Sequence, residues 1–94
     1  MRRFNLKFII SPDVIDQEIQ LGETLLMDVK TLKYFGLTSL GTLLWREMQK
    51  GSDLDDVFAR VLPQSGLQEE ELASIIRAIL QGMEQTGLIS IETC

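Results

Sequence analysis

Two short apolar runs, Thr24–Met27 and Lys33–Leu37, stand either side of a polar connection of turn length, and a helix start follows at once. A parallel pair would need a crossover of about a dozen residues or more, so the two runs can only be joined as an antiparallel hairpin. Apolar side chains occur on both faces of each run: Leu25 and Met27 against Leu26, and Phe35 and Leu37 against Tyr34. One face is expected to pack on the helices that follow. A two-stranded hairpin alone is marginal in water, so a third strand or a helix must back it.

The third strand is sought upstream. Phe4–Ile10 alternates weakly and reads as a strand or an extended arm, broken by Ser11-Pro12-Asp13. Val14–Leu21 mixes Val14, Ile15, Ile19 and Leu21 with Asp16, Gln17, Glu18 and Gln20, a pattern short enough to suit strand or helix. Its short spacing to the hairpin favours a strand, with Leu21-Gly22-Glu23 as a tight turn. The hairpin connection, Asp28–Leu32, carries no glycine, although such loops often need one residue at positive φ. That conformation would fall on Leu32 or Lys30.

Downstream the period changes to that of helices. Thr38 or Ser39 can cap a helix to about Gln49, with Leu40, Leu43, Leu44 and Met48 as its buried stripe, Trp45 beside it and Gly51 as its closing residue. Ser52 is the expected cap of a second helix, with Asp53, Asp55 and Asp56 in its first turn, Leu54, Val57, Phe58, Val61 and Leu62 as its stripe, and Pro63 as its end. The third is the longest, with Glu69-Glu70-Glu71 in its first turn, Leu72, Ile75, Ile76, Ile79, Leu80 and Met83 facing inward, and Thr86-Gly87 as its stop. Leu88–Ile91 reads as a short strand returning to the sheet. The expected fold is α+β and winged-helix-like: a small three-stranded antiparallel sheet over about residues 4–37, then a three-helix bundle over about 38–50, 53–62 and 67–86, all in a single domain spanning 1–94.

Composition narrows the function. There is no histidine and the single cysteine is Cys94, which excludes His/Cys metal clusters, intrachain disulfides and His-activated nucleophiles. Cys94 reads as a frayed terminal thiol, compatible with the cytosol. No cofactor is expected and an enzyme is disfavoured. No apolar run approaches the roughly 20 residues of a membrane span, and the short Phe8–Ile10 run behind Arg2 and Arg3 lacks the cleavage site of a signal peptide. A soluble, cytoplasmic protein without a membrane partner is the expectation.

The charge is unevenly placed: residues 1–50 carry seven basic and six acidic side chains, residues 51–94 two basic and eight acidic. Three helices beside a small sheet are the element list of a DNA-binding winged helix, and a winged-helix transcription regulator is the alternative function. The third helix, however, offers Arg77, Gln81 and Gln85 against Glu69, Glu70, Glu71 and Glu84, the wrong sign for phosphates. No nucleic acid partner is expected. The acidic triplets read as first turns favoured by the helix dipole rather than as metal or acid–base clusters. Of Tyr34 and Phe35, adjacent on one strand, one ring should face the core and the other outward; the sequence leaves open which. A non-enzymatic interaction domain of some other assembly is a third reading.

Glu23–Asp28, then Lys33-Tyr34-Phe35-Gly36-Leu37, then Gly41 and Trp45, and the closing Glu84, Gly87, Leu88 and Ile89 together resemble the PqqD family of peptide chaperones, the recognition elements for leaders of ribosomally made and modified peptides. The resemblance runs from about Ser11 to Ile91. The family pattern usually has glycine where Leu32 stands and asparagine where Thr38 stands. Members dedicated to pyrroloquinoline quinone lack the Tyr-Phe-Gly-Leu strand, and the pattern is closer to the stand-alone leader-binding proteins of lasso-peptide pathways. The resemblance implies a leader peptide bound as an added strand and presented to a modifying enzyme or leader peptidase, with no catalysis. It places the edge at Lys33, Tyr34, Phe35 and Gly36 and the facing helix at Glu71, Ile75, Ala78 and Ile79. Lys33 and Glu71 would read leader charges, and Tyr34 or Phe35 with Ile75 and Ile79 would hold apolar anchors. Open edges on so small a sheet also allow a homodimer, by edge pairing or domain swap.

Overall fold

The computed structural model describes residues 3–93; Cys94 lies outside them. Eight elements follow in the order β1 (Leu6–Ile10), β2 (Val14–Gln20), β3 (Glu23–Asp28), β4 (Tyr34–Leu37), α1 (Ser39–Met48), α2 (Leu54–Ser65), α3 (Glu69–Gln85) and β5 (Ile89–Thr93). Strands β2, β3 and β4 form the three-stranded antiparallel sheet, in that order, so β2 and β4 are its two edges. The fold is the α+β, winged-helix-like arrangement read from the sequence, with one correction. Strand β5 does not rejoin that sheet. It pairs with β1 in a separate two-stranded antiparallel sheet, with Phe8 opposite Ile91 and Ile10 opposite Ile89. The reason is that β1 is held elsewhere: Phe8 N–H donates to the Ser52 carbonyl, and Asp55 accepts the N–H groups of Phe4 and Asn5, each at 2.8 Å. This ties β1 to the start of α2.

Alternation sorts the side chains of the larger sheet. Thr24, Leu26 and Asp28 of β3 and Leu37 of β4 are buried against the helices, while Leu25 and Met27 are only half-buried on the opposite face. Leu26 pairs with Phe35 and Met27 with Tyr34, which sends Phe35 inward and Tyr34 outward. The core gathers Phe8, Leu26, Leu37, Leu44, Trp45, Met48, Leu54, Val57, Val61, Leu72, Ile76, Leu80, Met83 and Leu88. Among the described residues no buried side-chain N or O lacks a hydrogen-bond partner, and no helix is long and apolar enough to cross a membrane.

The turns follow the expected chemistry, with local departures. Gly22 takes φ +76° in the tight turn after β2. In the β3–β4 hairpin Leu32, not Lys30, takes the left-handed conformation at φ +63°. Asp28 holds this loop: its side chain accepts from the N–H groups of Lys30 and Thr31, and its carbonyl accepts from Leu32 N–H at 2.8 Å. Thr38 is the cap of α1, but its side chain makes no capping bond. That helix ends at Met48 with Gln49 in the right-handed region, so Gly51 is not the left-handed closing residue anticipated. The cap of α2 is Asp53 rather than Ser52, its carboxylate accepting from the N–H groups of Asp55 and Asp56. Pro63 does not end α2, which continues to Ser65 and a left-handed Gly66. Proline removes the N–H that would bond the Ala59 carbonyl and crowds that carbonyl, but only two helical residues follow it, and the side chain of Gln64 bonds the Arg60 carbonyl at 3.0 Å in that last stretch. Trp45 is not at the margin of the core but 3% exposed within it.

Candidate functional site

Strand β4 is the place where the sheet is left incomplete. The ladder fixes which of its main-chain groups are spare. Asp28 N–H donates to the Lys33 carbonyl, and in an antiparallel pair the groups facing the partner alternate along the strand. Phe35 and Leu37 therefore bond toward β3, while the N–H and C=O of Tyr34 and Gly36 point to the open edge. Gly36 adds no side chain there, and a Cβ built on it would meet nothing within 4 Å.

The other edge, β2, is differently made. A register irregularity between Glu18 and Gln20 interrupts it, and bulges and charged side chains are the usual guards of an edge strand. Asp16 and Glu18 also turn back onto α1: Asp16 accepts from Trp45 Nε1 at 2.7 Å, and Glu18 pairs with Arg46 at 3.0 Å. The hollow of about 220 Å³ between β2 and α1, lined by Asp16, Glu18, Thr24, Trp45, Arg46 and Gln49, is thus bridged by its own polar contacts.

Beside β4 runs α3. Its buried stripe is Leu72, Ala73, Ile76, Leu80 and Met83. At 100° per residue, Glu71, Ile75, Ala78 and Gly82 share the adjoining face, and Ile79 lies between the two. Glu71, Ile75 and Ala78 are exposed and Ile79 is half-buried. Phe35 marks where strand and helix meet: a Cβ on Gly82 would stand 2.7 Å from Cε1 and 2.8 Å from Cζ of its ring. The half-buried Phe35 is therefore the ring on the α3 side, while Tyr34 is 69% exposed on the other face of the sheet.

The eight residues singled out in the sequence thus fall into distinct places. Phe35 meets α3 at Gly82, and Ile75 and Ala78 share the helix face of Gly82, with Ile79 at its margin. Gly36 and Tyr34 supply the open main-chain groups, and Tyr34 turns its ring away from α3. Lys33 precedes β4 and is exposed, and among the described residues it has no ion-pair partner. Glu71 stands in the first turn of α3, where its carboxylate accepts the Gln68 N–H at 3.4 Å. Glu69 and Glu70 are not simply solvated, since Arg3 pairs with both while its guanidinium lies 5.6 Å from the Phe58 ring centre. Gly82 was not among the residues singled out. Its signal in the sequence is a glycine inside a helix, where it costs about 1 kcal/mol relative to alanine and so points to close packing.

The structure is thus a small α+β, winged-helix-like domain in which the β4 edge lies beside α3. The chain belongs to the PqqD family: the model described as coenzyme PQQ synthesis protein D matches residues 23–89, the stretch from β3 to the start of β5. Among solved structures it is similar to TbiB1 in complex with the TbiA(beta) leader peptide, with a TM-score of 0.76 and 21% identity over 86% of this chain and 93% of that one. At that identity the likeness is one of fold. No curated protein matches the chain.

Proposed function

We propose that this protein binds the leader of a ribosomally made precursor peptide as a fourth strand along β4 and presents it, without catalysis, to a modifying enzyme or leader peptidase. The observation that carries the reading is the pair of open residues, Tyr34 and Gly36, on an edge that no bulge interrupts and that an apolar helix face adjoins. An extended peptide satisfies those groups by β-augmentation, and alternate side chains supply the specificity. Leader residues turned toward α3 meet Phe35, Ile75, Ala78 and Ile79; those turned the other way lie beside Tyr34. Lys33 and Glu71 offer one charge of each sign. The family supports the reading, and so does the leader peptide held by the structurally similar TbiB1. The Tyr-Phe-Gly-Leu strand points to lasso-peptide pathways as the setting.

The test is to search the genomic neighbourhood for a short precursor gene and to titrate a fluorescein-labelled peptide of its leader, by anisotropy, against wild type, G36P and I75A. A proline at 36 removes an N–H that β3 does not use, so the sheet keeps its ladder while the added strand loses a donor. Each variant is expected to weaken binding at least tenfold, about 1.4 kcal/mol, with the circular dichroism of the folded protein retained. Absence of leader binding, with salt-sensitive binding of promoter DNA in its place, overturns the reading.

A further inference from the structure

Resting on that leader-binding reading, we infer that Gly82 is a positioning residue for the peptide cleft, acting through Phe35. The ring of Phe35 lies on bare α3 backbone: atoms 2.7 and 2.8 Å from the place of a Cβ occupy the space any other residue would need. At this point the Cε1–Cζ edge of the Phe35 ring stands against helix backbone that carries no side chain. Farther toward the start of α3 the same face carries Ala78 and Ile75, about 6 Å and about 10 Å along the axis from Gly82 at 1.5 Å per residue. Side-chain size rises along that line, from none at Gly82 through one methyl at Ala78 to a full aliphatic chain at Ile75.

On our inference the groove for the leader has the Phe35 ring at its Gly82 end and Ile75 at the other, with the small Ala78 between them. An inward leader side chain is seated by that geometry, and the geometry depends on where the Phe35 ring rests. With a methyl at 82 the ring must leave its seat, because at under 3.0 Å something has to shift, and its far end is what moves. The ring then stands off α3, beside the strand edge the leader has to reach.

A double-mutant cycle with the same labelled leader separates this role from plain packing. G82A is expected to weaken leader binding about tenfold. F35L, which shortens the side chain, is expected to weaken it by less. In the F35L background the added methyl has room, so F35L/G82A should bind within about twofold of F35L alone. Should G82A fail to fold, the double variant decides: folding and binding at the F35L level supports the positioning role. Wild-type binding with G82A within twofold of it overturns the inference and leaves the leader-binding reading standing. So does an equal loss in both backgrounds, or failure of both G82A and F35L/G82A to fold, which would assign the contact to stability alone. If wild type binds no leader, the leader-binding reading falls, and the inference with it.

Discussion

Leu32 is a leucine in a conformation that suits glycine. At φ +63° its Cβ crowds the backbone, a cost of roughly 1–2 kcal/mol for an L-residue, and at 67% exposure the side chain recovers little by burial. The loop tolerates it because the Asp28 carboxylate and carbonyl together take up three N–H groups of the turn. Leu32→Gly is expected to raise stability by about 0.5–1 kcal/mol, the relief of strain less the extra freedom of the unfolded chain. A urea midpoint unchanged or lowered by the substitution would contradict that account. The need for one positive φ in this connection was legible in the sequence, and it narrowed the position to two residues. The choice between them was not legible, because it turns on which N–H groups Asp28 captures.

Among elements, two polar contacts join strands to α1, one at the edge of the core and one inside it. The indole N–H of Trp45 in α1 reaches across to Asp16 in β2 at 2.7 Å, and the hydroxyl of Thr42 in α1 donates to that of Thr24 in β3 at 3.0 Å inside the core. Losing the acceptor would leave a buried donor unpaired, so Asp16→Ala should destabilise the fold by about 1–3 kcal/mol, read as a lowered urea midpoint; intact stability would show that water replaces the carboxylate. Periodicity found the three helices and the hairpin because each buries a face of its own. It misplaced the partner of β5, since strand pairing is set by elements far apart in the chain. It also misjudged Pro63 and Gly51, where local residue type competes with the packing of a whole helix. For the proposed site, the helix face Glu71, Ile75, Ala78 and Ile79 is what family resemblance implies. Which of Tyr34 and Phe35 faces it needed the β3–β4 register and the bare backbone at Gly82.

At the scale of the molecule, the helical layer is bound together by a small charge cluster. Glu47 of α1 accepts from Arg60 Nε of α2 at 2.9 Å and pairs with Lys50 at 3.2 Å. The Arg60 guanidinium, above all, holds its carboxyl below the ordinary carboxylate value, with the Lys50 ammonium adding to the effect against the opposing pull of burial. Because the folded-state value is the lower one, the stability this group contributes is full above the unfolded value of 4.5 and is lost as pH falls through the depressed folded value. Glu47→Gln should therefore be less stable than wild type at neutral pH, with the gap closing as the solution is acidified below pH 4.5. A gap that does not change with pH would assign the effect to packing. The sequence by itself determined the hairpin, the helices and most of their inward stripes (Ile75, expected inward on α3, is exposed), the lack of histidine and the acidic second half, because local periodicity, turn residues and charge act over a few neighbouring positions. Only the tertiary structure decided the division into two sheets, the outward turn of Tyr34, the guarding of β2 but not β4, and the seat of Phe35 on Gly82. These depend on hydrogen bonds and close approaches between residues that the chain brings together only when it is folded.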